Sequence, residues 1–114
     1  MSFKEITNCV QRHEILEDRA GIEIRGLMVS VDDNSDDDGE YPISIMAEII
    51  ATSGSTIDND IEININCYNS NGQVCGTVSA YLESDSFFGL ETLNEAIYSR
   101  GFPVEIKIIP KIRK

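Results

Sequence analysis

The 114-residue sequence predicts an all-β domain, an immunoglobulin-like antiparallel β-sandwich of about seven strands with room for one short helix. Three observations carry this. Isoleucine occurs 17 times and leucine only 5; β-branched side chains pack well on a pleated surface and lose rotamer freedom in helices. Apolar and polar residues alternate in several short runs, the period of a half-buried strand. Turn signals separate those runs at intervals of roughly 8–15 residues, the spacing of an all-β sandwich. A hydrophobic fraction of 41% with 25% charged residues excludes a disordered chain. One domain over 1–114 accounts for the length, and no internal repeat is visible. A chain of this size buries roughly two-thirds of its unfolded surface, so one core needs no metal or disulfide.

In chain order, residues 1–14 form a poorly defined N-terminal segment. Phe3, Ile6, Val10 and His13 fall on one helical face, which predicts a short, uncapped helix. Residues 14–17 read as a short strand and 18–21 as a polar turn. Ile22 and Ile24 share one alternation phase, whereas Leu27, Val29 and Val31 share the other, with Gly26 between them. An extra residue at a glycine bulge would bring both sets to one face. Residues 32–42 form an acidic loop. Six acids and no base lie between Asp32 and Glu40, and like charges at that density stay solvated. Ile43, Ile45, Ala47, Ile49 and Ala51 then alternate with Ser44, Met46, Glu48 and Ile50 as a strand; Ile50 hints that the second face is partly covered.

Ile61, Ile63, Ile65 and Cys67 alternate with Glu62, Asn64, Asn66 and Tyr68, the cleanest strand pattern in the chain. Asn71-Gly72 follows, a tight-hairpin signal because both residues tolerate positive φ. A two-residue loop sets Ser70 against Gln73 and brings Ile65 opposite Val78, Ile63 opposite Ala80 and Ile61 opposite Leu82. A three-residue loop would slip the register and set Ile65 against Thr77, exposing an apolar face. The two-residue loop also pairs Cys67 with Gly76 and Tyr68 with Cys75. The two thiols then point to opposite faces, and no Cys67–Cys75 disulfide is expected. Residues 86–103 fit a helix through Leu90, Leu93 and Ile97 with Gly101 as its stop, and a strand almost as well. Val104, Ile106 and Ile108 alternate as a last strand, which Pro110 ends near a sheet edge.

The formal charge of −11 repels phosphate backbones and argues against nucleic-acid binding. No secretory apolar run opens the sequence, no stretch is long enough to span a membrane, and no lipidation motif closes it. A soluble, cytoplasmic protein is expected, with no membrane partner. Cys9, Cys67 and Cys75 are odd in number and irregular in spacing, which suits free thiols in a reducing compartment. With His13 they match no zinc spacing. His13, the single histidine, has no nucleophile motif to serve, and phosphate-loop and dinucleotide fingerprints are absent.

The stretch from Cys67 through Tyr68, Asn69, Asn71 and Gly72 to Val74 resembles the strand–turn–strand of bacterial FxLYD-type domains, whose pattern is apolar-Tyr-Asp-x-x-Gly-x-Val; Asn69 stands where Asp is usual. Two further stretches resemble small bacterial proteins related to that group: Phe87-Phe88-Gly89-Leu90-Glu91-Thr92-Leu93 and the closing run around Pro103, Lys107 and Pro110. Leu90, Leu93 and Ile109 depart from their aromatics. The resemblance covers roughly 22–112. It implies an immunoglobulin-like sandwich and favours a strand over 93–98.

No catalytic group set, cofactor motif or small-molecule site is read from these residues. The expected role is a non-catalytic sandwich that binds another protein, with Tyr68 and Tyr81 on outward phases and Asp36, Asp37 and Asp38 as contact residues. An alternative is an acidic inhibitor, of immunity or anti-defence type, that covers a basic protein surface. A second alternative is a calcium-binding loop. Asn34, Asp36 and Asp38 place oxygens at alternate positions, as a hard cation requires. However, Ile45 stands where a calcium loop needs a bidentate Glu.

Overall fold

The computed structural model describes residues 3–35 and 37–113, and its strands form a sandwich of two four-stranded sheets. The strands are β1 (Phe3–Glu5), β2 (Val10–Arg12), β3 (Ile22–Asp32), β4 (Tyr41–Ala51), β5 (Asp60–Tyr68), β6 (Val74–Leu82), β7 (Leu90–Ser99) and β8 (Glu105–Arg113). One helix, α1 (Glu14–Ala20), follows β2. One sheet has the order β1-β3-β4-β7 and the other β2-β8-β5-β6. All pairings are antiparallel except β2 with β8. Among the described residues no helix is long and apolar enough to cross a membrane.

The isoleucine alternation builds the core. Ile22, Ile24, Ile43, Ile45, Ile49, Ile61, Ile63, Ile65, Ile106 and Ile108 are all buried between the sheets. The predicted bulge is present. Arg25 pairs with Glu48 but Met28 with Met46, so three steps on β3 match two on β4. Gly26 carries the positive φ of 61° that the bulge needs. Ile22 and Ile24 before it, and Val29 and Val31 after it, are all buried.

The N-terminal segment differs from the expected helix. It splits between the sheets: β1 pairs with the β3 edge and β2 with the β8 edge, joined by a single 3-10 turn, Thr7–Cys9. Ile6 enters the core, its N–H donating to Val29 O at 2.8 Å, while Thr7 Oγ1 accepts from Val29 N at 3.0 Å. Two open sheet edges offer this short segment more hydrogen bonds than an isolated helix of its length could keep.

Residues 14–17, read as a strand, lie in α1 instead. Four residues are too few to separate a period of 2 from 3.6. Glu14 and Glu17 in the first turn and Arg19 in the last suit the helix dipole, and Gly21 ends the helix at φ 76°. Glu17 is buried and paired in bidentate fashion with Arg12, Nη2–Oε1 2.7 Å and Nε–Oε2 3.1 Å, which ties α1 to β2.

The helix alternative for 86–103 is overturned: Leu90–Ser99 is a strand, paired along its length with β4. Leu93 and Ile97 face the core while Leu90 and Tyr98 face solvent. Tyr41 and Pro42 belong to β4 rather than to the acidic loop. Pro110 does not end β8; it is buried opposite Ile63 and the strand runs on to Arg113. Because β2 pairs with β8 only as far as Ile108, Pro110 needs no second ladder on that side.

The β5–β6 turn differs from the expected two-residue loop. Its loop has three residues, not two: Asn69 N donates to Gln73 O at 2.9 Å, and Gly72 N to Asn69 O at 3.0 Å. Tyr68 therefore faces Val74. Cys75 is an extra residue, after which Cys67 faces Gly76 and Ile65 faces Val78 as expected. Loop slip and bulge cancel, so the long-range register survives a different turn.

Ile65→Ala should cost about 2–5 kcal/mol, since it opens a cavity between the sheets. Glu62→Ala, on the polar phase, should cost about 0.5 kcal/mol or less. Urea midpoints at a shared m-value check both.

Candidate functional site

The acidic loop, the β5–β6 turn and the β7–β8 connection share one end of the sandwich. Tyr41 pairs with Ser99, and Val104 N donates to Tyr68 O at 2.9 Å. Asp33, Asn34, Ser35, Asp37 and Asp38 are exposed, and Asp36 lies outside the described residues. Asp32 is largely buried and its Oδ1 accepts from Asn34 N at 3.0 Å, which starts the loop. Arg100 lines a shallow cavity of about 430 Å³ with Asp38, Gly39 and Glu40. Among the described residues no three His, Cys, Asp or Glu side chains are grouped to hold a metal ion. The calcium reading at Asn34, Asp36 and Asp38 turns on Asp36, which is not described.

Tyr68 and Tyr81 both lie on the outer face of the β2-β8-β5-β6 sheet but do not form one platform. Tyr81 pairs with Glu62, six positions along β5 from Tyr68. At about 3.4 Å per residue that is roughly 20 Å. Each ring is covered by a cation: Lys107 Nζ lies 4.9 Å from the Tyr68 centroid and Arg113 Cζ 5.3 Å from that of Tyr81. Polar cross-strand pairs fill the face between them, Thr77 Oγ1–Asn66 Oδ1 at 2.8 Å and Ser79 Oγ–Asn64 Oδ1 at 2.7 Å. The acidic loop shares an end with Tyr68 and not with Tyr81.

The opposite outer face is the one sequence reasoning missed. On β3, β4 and β7, Met28 is 47% exposed, Met46 39%, Leu90 52% and Tyr98 59%. Met28 pairs with Met46, Leu90 with Ile50, and Tyr98 with Pro42, so apolar side chains meet in register across the strands. Ile50 was the visible signal. Leu90 and Tyr98 could join it only once residues 90–99 were known to be a strand.

His13 stands just before α1, half-buried, with Nε2 enclosed and lacking a hydrogen-bond partner. A cavity of about 500 Å³ beside α1 is lined by Glu14, Glu17, Asp18 and Glu23, with Arg12 already paired to Glu17.

The last cluster is buried. Cys67 and Cys75 are free thiols that lie on the same inner face, not on opposite faces as the two-residue loop implied. Their sulfurs are 3.7 Å apart. Ser99 Oγ lies 3.0 Å from Cys75 Sγ, 3.6 Å from Cys67 Sγ and 2.6 Å from Gly101 O, to which it donates. A Cβ at Gly76 would meet Ile97 Cγ2 at 2.5 Å and Cys67 Sγ at 2.9 Å, so glycine makes room for the sulfurs. Burial pushes the Cys67 thiol up to about 11, the Ser99 hydroxyl partly opposes this, and the adjacent Cys75 adds to the rise.

No protein-family model and no curated protein matches this chain. Among solved structures, the arabinose-bound α-L-arabinofuranosidase MgGH51 aligns at 9% identity with a TM-score of 0.27, over 82% of this chain. The chain spans about a fifth of that protein, 20% of its length. A likeness that distant carries neither fold nor function.

The Cys67 shift predicts a pH dependence. In the folded chain the thiol keeps its proton up to about 11, whereas the unfolded thiol loses it near its ordinary value of 9.0. The unfolded state thus binds fewer protons in that window, and this contribution to stability falls as pH rises through it. Urea midpoints of wild type and Cys67→Ala, measured between about pH 8 and 11, should converge as pH rises.

Proposed function

We propose that this chain is a non-catalytic β-sandwich module that binds another protein through the outer face of β3, β4 and β7. The observation that carries the reading is the in-register exposure of Met28, Met46, Leu90 and Tyr98 beside half-buried Ile50. Methionine and tyrosine supply adaptable apolar area, and such residues among polar neighbours mark interaction surfaces. The serines, Arg25 and Glu48 between them give the polar setting such faces share. Tyr68 and Tyr81, each under its own cation, are secondary contacts in this reading. The immunoglobulin-like class, the FxLYD-type kinship and a cytoplasmic location belong to the same proposal. Domain size and sheet crossings at β4–β5 and β6–β7 support the first, the Tyr68-to-Val74 turn the second, and three free thiols the third. No cofactor, nucleic acid or small-molecule substrate enters it.

A second reading has its own support. Asp33, Asp37 and Asp38 are exposed on one loop of a chain with charge −11. That loop would steer a basic protein onto this end of the sandwich, as an inhibitor of a basic active site would require.

Cross-linking and capture with the wild-type chain test both against each other. Met46→Lys with Tyr98→Ser should weaken capture of the cross-linked partner about tenfold or more, the scale of a modest hot spot. Asp37→Asn with Asp38→Asn should leave it unchanged. The reverse pattern, with capture lost at high salt, would replace the first reading by the second. Calcium-dependent capture would replace both.

A further inference from the structure

We propose that Cys67 and Cys75 form a reversible redox site, in which a hydroperoxide converts the two thiols into an intramolecular disulfide within the β5–β6 hairpin. The inference goes beyond the binding role and is independent of it. Its basis is geometric. The three-residue loop forces an extra residue into β6, and that residue is Cys75. That loop sets Tyr68 against Val74, so Cys75, the next residue on β6, points inward beside Cys67, 3.7 Å away, and Gly76 leaves the space both sulfurs occupy. A disulfide bond of about 2.05 Å requires the sulfurs to close by roughly 1.6 Å. β6 is the edge strand of its sheet, with a ladder to β5 alone, and Arg100 N is the further backbone partner of Cys75 O that a local adjustment of that size would move.

The two thiols are unequal, which sets the order of events. Cys67 is fully buried, whereas Cys75 keeps 8% of its surface on the edge strand. A small oxidant meets Cys75 first. Its thiolate attacks one peroxide oxygen; the S–O bond forms, the O–O bond breaks, and the departing hydroxide takes a proton and leaves as water. Cys75 is then a sulfenic acid. The sulfur of Cys67 attacks that of Cys75; the S–S bond forms, the S–O bond breaks, and hydroxide leaves as a second water with the proton Cys67 gives up. Two thiols lose two electrons and two hydrogens, and hydrogen peroxide gains them as two waters.

The bond would act beyond the hairpin. Arg100 N donates to Cys75 O at 2.8 Å, and Ser99 Oγ contacts both sulfurs and Gly101 O. The β7–β8 connection is therefore fastened to the oxidised residue, next to the acidic loop that Arg100 helps to line.

The test treats the full chain carrying Cys9→Ser with hydrogen peroxide, then alkylates it under denaturing conditions. A mass loss of two hydrogens, a peptide joining Cys67 to Cys75, full reversal by dithiothreitol and a monomer throughout are expected. The oxidised form should also unfold at a higher urea concentration than the reduced form. In Cys67→Ala the same treatment should stop at a dimedone-reactive Cys75. Two alkylatable thiols after oxidation, over-oxidation of Cys75 without an S–S bond, or only intermolecular disulfides would overturn the proposal. If either variant fails to fold, the peptide map of the wild-type chain, with Cys9 counted separately, decides the same question.

Discussion

Every long strand must keep its apolar phase turned toward the other sheet, and the rest of the structure follows from that requirement. The core is an isoleucine ladder, and isoleucine on the wrong face has nothing to bury it. The apolar residues of β3 change phase between Ile24 and Val29, and Gly26 returns them to one face through one extra residue at positive φ. The β5–β6 hairpin meets the same demand differently. Its loop would shift Ile61, Ile63 and Ile65 out of register with β6, and the extra residue at Cys75 shifts them back. In both places the local backbone yields and the apolar phase does not.

That hierarchy explains what could be read from the sequence. The burial of Ile22, Ile24, Val29 and Val31 followed from alternation plus one glycine, because the phase change itself was visible. The pairing of Ile61 with Leu82 and Ile63 with Ala80 followed from matching apolar faces, even though the turn assumed for it was wrong. Asn71-Gly72 signals a tight turn but not its length, since Gly72 alone takes the left-handed conformation. Short segments were illegible for a different reason. β1, β2 and α1 have three, three and seven residues, too few for a period, and their state is decided by open edges on β3 and β8 and by the Arg12–Glu17 pair. β7 was ambiguous because Leu93 and Ile97 lie four apart, a spacing that serves a helix face and one face of a strand equally.

The same logic separates the surfaces. An excess of eleven negative charges is tolerated because most acids occupy outward phases and loops, where water and salt screen them, and Glu91 and Glu95, on the inward phase of β7, stay only half-buried on that edge strand. Two acids are buried: Glu17 carries a bidentate arginine, and Asp32 accepts from Asn34 N. The outer face of β2-β8-β5-β6 is largely finished by its own chain: asparagine–hydroxyl pairs satisfy its polar groups and a cation lies over each tyrosine ring, with Tyr81 and Val74 left exposed at its ends. The outer face of β3-β4-β7 is not finished in that way, and its methionines and Tyr98 remain in solvent. The contrast between the two faces, more than the exposure of any one residue, directs attention to β3, β4 and β7.

The thiol pair shows how a packing constraint generates chemistry. Seven residues of hairpin separate Cys67 and Cys75; a two-residue loop would point their side chains apart, whereas the three-residue loop sets Tyr68 against Val74 and brings both to one face. The core ladder is back in phase by Ile65 because the extra residue falls at Cys75, which leaves Cys75 and Gly76 together opposite Cys67. Gly76 next to it then has to be a glycine, because Cys67 and Ile97 already fill the volume a side chain would need. A serine at position 99 completes the pocket: its Oγ accepts from Cys67 Sγ and gives its own hydrogen to Gly101 O. Replacing Cys75 with a larger apolar residue would press on the same volume, whereas alanine would leave Cys67 beside a void. The pocket is thus shaped for two sulfurs by the register that fixes the isoleucine core.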